Sequence, residues 1–122
     1  MLDPITGAGF DAPPPEVAYM GVTNLTAQIH AFMTRTANNP PDEDDPAKYR
    51  EFLLHRAALA DLAHLEELDN EEAHTYAVKA SQDFIRYDRQ HPEFVNGPIG
   101  PGSPEWDPSA RPYVRQEWAT PF

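Results

Sequence analysis

Glu71 and His74 in the stretch Glu71-Glu72-Ala73-His74 have the Glu-x-x-His spacing that sets a carboxylate and an imidazole on one helix face. Di-iron helical bundles use that pair as metal ligands. Glu51 and His55, at i and i+4, offer a second pair. Bundle ligands project from mid-helix into a core, however, whereas Glu71 falls in a first turn beside a capping residue. There, acidic side chains complement the positive end of the helix dipole. A helical metal-binding protein is therefore an alternative reading only, and no metal ligand or cofactor is assigned.

Other chemistry finds less support. The chain has no cysteine, so it lacks a thiol nucleophile, a disulfide and an iron–sulfur site. Ser81, Ser103 and Ser109 sit in no nucleophile elbow. The glycines of Gly97-Pro98-Ile99-Gly100-Pro101-Gly102 are interleaved with prolines, which remove the backbone donors a phosphate-cradling loop needs. The acidic run Asp42 to Asp45 lacks the glycine and the alternating ligands of a calcium loop. No catalytic residue emerges, and a non-enzymatic role is expected, with no small-molecule substrate.

The elements that would position these residues are helical. Val22, Leu25, Ile29, Phe32 and Met33 recur at helical spacing and predict a helix over 16–38, beginning where Pro15 and Glu16 suit a first turn. Asp45 followed by Pro46 is an N-cap and first-turn pair, opening a second helix over 46–67. Its apolar positions Tyr49, Phe52, Leu53, Leu59, Leu62, Ala63 and Leu65 form a stripe wide enough for two neighbours. Asp69 and Glu72 have capping-box spacing, predicting a third helix over 70–91 with Ala73, Tyr76, Ala77, Ala80, Phe84 and Tyr87 on one face. The expected fold is all-α, a small helical hairpin or three-helix bundle.

Extended arms are expected on both sides. Residues 1–15 show no period, and the run Pro13 to Pro15 favours polyproline II. Seven prolines fall within residues 92–122, a density expected to exclude any helix. The domain organisation is thus read as an N-terminal arm 1–15, an acidic helical domain 16–91 and a C-terminal arm 92–122. Aromatic side chains punctuate the second arm at Phe94, Trp106, Tyr113, Trp118 and Phe122. Aromatic anchors bury large areas at interfaces, and proline lowers the entropy lost on docking. Together with Arg111 and Arg115 in the same arm, and Leu2, Ile5 and Phe10 in the first, they are the candidate partner-binding residues. The competing expectation is that the C-terminal arm wraps over its own domain and completes a thin core.

Twenty acidic and nine basic side chains give a net charge of −11. Between Asp42 and Glu72 eleven acids face three basic residues. Such a surface repels phosphate, so direct nucleic-acid contact is not expected. A small acidic inhibitor that mimics nucleic acid and blocks a basic protein is a second alternative. No apolar run is long enough to span a membrane and no signal-like start is seen, so a cytoplasmic or virion location is expected. The leading expectation is a structural or adaptor subunit docking on other protein subunits, or copies of itself, in a large assembly. By fold-level analogy, a tailed-phage head–tail connector or capsid accessory protein fits that profile.

Overall fold

The computed structural model describes residues 2–120. Among them there are five α-helices and no strand: α1 Pro15–Ala18, α2 Leu25–Asn38, α3 Pro46–Glu66, α4 Glu71–Gln90 and α5 Arg111–Ala119. Short 3-10 turns lie at Pro92–Phe94 and Pro104–Trp106.

Helices α3 and α4 pack antiparallel, with Arg50 opposite Asp88, Arg56 opposite Asp83 and His64 opposite His74. Asp45 caps α3 by accepting a hydrogen bond from the Lys48 amide at 3.3 Å. The cap of α4 is Asn70, whose side chain accepts from the Ala73 amide at 3.0 Å, in place of the expected Asp69 box. Ala57, Ala58 and Ala60 of α3 and Ala77 and Ala80 of α4 are all buried. Small side chains at these positions let the two helix axes approach closely. Five consecutive residues, Ala57 to Asp61, are buried, so the middle of α3 is covered on nearly every side.

The cover comes from α5, and here two expectations are corrected. Residues 92–122 are not wholly extended, because Arg111–Ala119 is helical and packs on both α3 and α4. Pro112 lies in its first turn, where a missing N–H breaks no hydrogen bond, and residues 113–120 contain no proline. Proline density averaged over the segment concealed that run. The N-terminal residues likewise fold into turns. Asp3 accepts hydrogen bonds from the amides of Ile5 (2.9 Å) and Thr6 (3.3 Å), and these donors hold its carboxyl below the usual carboxylate range. Gly7 adopts φ +85 in the same turn, a conformation that disfavours any side chain.

The core joins all these parts. Trp106 packs edge-on to Tyr113 with ring centroids 5.6 Å apart, and Tyr113 lies 5.6 Å from Phe84 of α4. Phe10 stacks on the other side of Trp106 at 6.5 Å. Full burial of a large apolar side chain stabilises by roughly 1.5–3 kcal/mol. The two ends of the chain therefore supply much of the interior that a bare hairpin lacks.

The single helix expected over 16–38 is divided. The chain leaves α1 at Tyr19, and Asn24 (φ +50) caps α2 by accepting from the Ala27 amide at 3.2 Å. Asparagine tolerates this left-handed conformation because its short polar side chain bonds locally. Helix α2 packs on α3 and contains no fully buried residue.

Candidate functional site

Two features stand out for their chemistry: a set of buried charges and an apolar groove. The charges come first, because they hold α5 in place. Asp61 of α3 has no exposed surface and accepts from both arginines of α5. Arg115 binds it through Nε at 2.8 Å and Nη2 at 2.9 Å, and Arg111 Nε contacts the same carboxylate. The Tyr19 hydroxyl donates to Asp61 Oδ2 at 2.6 Å. Burial, then the Asp61 charge, pushes the Tyr19 phenol well above its ordinary pKa, so it stays a neutral donor.

Arg111 Nη1 also lies 2.8 Å from His64 Nδ1. A guanidinium has no acceptor, so Nδ1 must accept. His64 is then a neutral imidazole carrying its proton on Nε2, which faces the Leu68 carbonyl at 3.3 Å. Burial and the Arg111 charge hold its pKa below the ordinary histidine value. The His74 ring lies 4.8 Å away.

A second group ties the opposite face of α5 to α3 and α4. Arg50 grips Asp88 with two hydrogen bonds, Nε to Oδ1 at 2.9 Å and Nη2 to Oδ2 at 2.8 Å. Its Nη2 also reaches Glu117 of α5 at 2.7 Å. Burial alone would lower the Arg50 pKa, but the two carboxylates outweigh it and raise it. Tyr113 donates to Asp88 at 2.6 Å, and burial plus this bond raise the Tyr113 pKa far above its ordinary value. Glu117 then accepts from the amides of Asn96 (2.8 Å) and Gly97 (2.7 Å). Three buried arginines, Arg50, Arg111 and Arg115, thus meet three buried carboxylates, Asp61, Asp88 and Glu117. The interior is balanced in formal charge, as the cost of burying ions requires. These groups are enclosed by packing and engaged with one another, which ties α5 to α3 and α4.

The placement of the candidate partner-binding residues follows. Trp106, Arg111, Tyr113 and Arg115 are buried within their own chain. Phe10 and Trp118 pack against the core, Trp118 lying 6.2 Å from Tyr19 and 5.5 Å from His55. Phe94 is half-buried beside His91 (6.2 Å) and Ile5 is half-buried, while Leu2 is exposed. Phe122 lies outside the described residues. The metal candidates are dispersed. His55 Nδ1 receives a hydrogen bond from Arg35 at 3.1 Å, and burial, then the Arg35 charge, lowers the His55 pKa. Among the described residues no three potential ligands form a cation site, and no helix is long and apolar enough to cross a membrane.

The groove lies between α2, α3 and α4. It encloses about 330 Å³ and its walls include Ile29, Phe32, Leu59 and Ala63, with Met33 and Tyr76 at its lips. Met33 is 63% exposed and Tyr76 51%. Sequence periodicity put both among core-facing positions; the structure leaves them facing water. Helix α2 is held to α3 chiefly through Phe32, which stacks on Phe52 at 5.6 Å and against His55 at 4.9 Å. On the other flank of α2 a polar hollow of about 610 Å³ mixes Arg35 and Lys48 with Asp42, Asp45 and Glu51.

About half of the acids outside the core gather at the two ends of α3. Asp42 to Asp45 precede its first residue, and Glu66, Glu67, Asp69, Glu71 and Glu72 surround its last. A helix of this length separates them by roughly 30 Å. Comparison with known protein families, with curated proteins and with solved structures finds no match to this chain.

Proposed function

We propose that the chain is a non-enzymatic structural or adaptor subunit of a multi-chain assembly, and that it docks through α2 and the groove beside it. The observation that carries this reading is the contrast between α2 and the other long helices. Helices α3, α4 and α5 each bury several side chains, whereas α2 buries none completely and keeps Ile29, Phe32 and Met33 along an open seam. Apolar grooves flanked by an amphipathic helix are common sites for a partner's helix. The terminal segments act in this reading as internal struts, since their anchors are occupied within the fold. A virion component is one setting that suits such a part, by analogy alone.

The test is site-specific photocrosslinking in the source cells. A benzophenone side chain at Met33 or Tyr76 should yield a discrete protein adduct, and one at exposed Arg86 should not. Absence of any discrete adduct from both groove positions would overturn the docking site.

A further inference from the structure

We infer that the occupant of the groove is an amphipathic helix of a partner protein that carries lysine or arginine at the end lying over the turn between α3 and α4. The inference rests on the docking role just proposed and specifies the chemistry of the partner. The groove supplies the apolar half of the recognition. Ile29, Phe32 and Met33 line one wall, Leu59 and Ala63 the floor, and Tyr76 the other wall. A helix laid here reads the seam with side chains at i, i+3 or i+4, and i+7. Ala63 and Ala73 at one end admit its backbone closely, and Met33 can adapt its shape to what enters.

Charge supplies the other half. At the Ala63 and Ala73 end, Glu66, Glu67, Asp69, Glu71 and Glu72 are all exposed. None of the five belongs to an ion pair among the described residues, in contrast with Asp83, which binds Lys79 at 3.0 Å, Arg56 at 3.0 Å and Arg86 at 3.2 Å. Asp83 is consequently held below the usual carboxylate range by those three cations, despite its partial burial. At the Phe32 end charges of both signs meet: Arg56, which lines the groove, is paired with Asp83 at 3.0 Å, and Arg35, its guanidinium carbon 5.8 Å from the Phe32 ring centroid, shares the neighbouring hollow with Asp42, Asp45 and Glu51. The five unpaired acids beside Ala63 and Ala73 therefore favour a cation on the partner helix at that end. A second copy of this chain is disfavoured as occupant, because its net charge of −11 repels an identical molecule. Complementary charge of this kind governs orientation and on-rate as well as affinity.

The experiment is a residue-resolved NMR titration of the full chain with synthetic helical peptides about four turns long. One peptide carries a leucine seam and lysines in its final turn; its twin has glutamate in place of every lysine. The lysine peptide should bind with shifts confined to the groove and the α3–α4 turn, at least about tenfold more tightly than its twin. Met33→Glu, an exposed change that leaves the core intact, should weaken it about tenfold or more. Glu71→Lys combined with Glu72→Lys leaves only Glu66, Glu67 and Asp69 as acids in the patch and should bring the two peptides close to equal affinity. Equal binding of the two peptides at the groove would overturn the basic partner while leaving the docking role standing. Shifts elsewhere, or no binding of either peptide, would overturn the inference itself. Concentration-dependent dimerisation abolished by Met33→Glu would make a second copy the occupant and overturn it as well.

Discussion

Asp61 is the residue on which most of the interior depends. It receives hydrogen bonds from Arg111, Arg115 and Tyr19, and no water reaches it. Removing one partner of a buried ion pair typically costs about 3–5 kcal/mol, since the other charges stay buried without compensation. Asp61→Ala should fall in that range in urea unfolding, well above any effect at exposed Glu71. Position 97 is a second sensitive point. A Cβ there would come within 2.3 Å of Gln116 and 2.4 Å of Glu117, both fixed in the interior, so Gly97→Ala should destabilise by roughly 1–3 kcal/mol. His64 adds a pH dependence whose sign follows from its lowered pKa. Below the unfolded-state value near 6.5 the unfolded chain binds more protons than the folded one, so the stability contributed by neutral His64 is present above that pH and is lost as pH falls through the folded value. His64→Gln, which keeps an acceptor for Arg111, should narrow the stability difference between pH 7 and pH 5 relative to the parent chain. An unchanged difference would place the titration elsewhere.

At the level of elements, α3 and α4 were the most legible. Asp45-Pro46 and Pro92 punctuate them, and their apolar residues repeat at helical spacing. Helix α5 was hidden for two physical reasons. Proline count is an average, and the nine-residue helix Arg111–Ala119 takes Pro112 into its first turn and has no other proline. Its buried residues also include the polar Arg111, Arg115, Gln116 and Glu117, a composition that reads as solvated until Asp61 and Asp88 are brought opposite. The acids and bases that neutralise one another are separated by tens of residues, beyond what spacing can reveal. The groove was hidden for the converse reason. Periodicity shows that Met33 and Tyr76 lie on apolar faces, yet only the packing shows that no neighbour covers them. Helices α2 and α4 consequently differ in what a lost ring costs. Phe84→Ala, at a fully buried site, should cost about 3–5 kcal/mol in chemical denaturation. Phe32→Ala, at a half-buried site, should cost distinctly less while sharply weakening partner binding.

For the whole molecule, α3, α4 and α5 pack on one another, the N-terminal turns and α1 close over them, and α2 lies against α3 without a fully buried residue. Tryptophan emission in the isolated monomer should be shifted to the blue, because Trp106 is buried and Trp118 partly so. The most direct test of the central claim is native-state hydrogen exchange resolved to single amides. Exchange in α5 should require nearly the same global opening as α3 and α4, whereas α2 should exchange through local openings of much lower free energy. Equal protection of α2 and α3, or exchange in α5 as fast as in a free tail, would contradict the account.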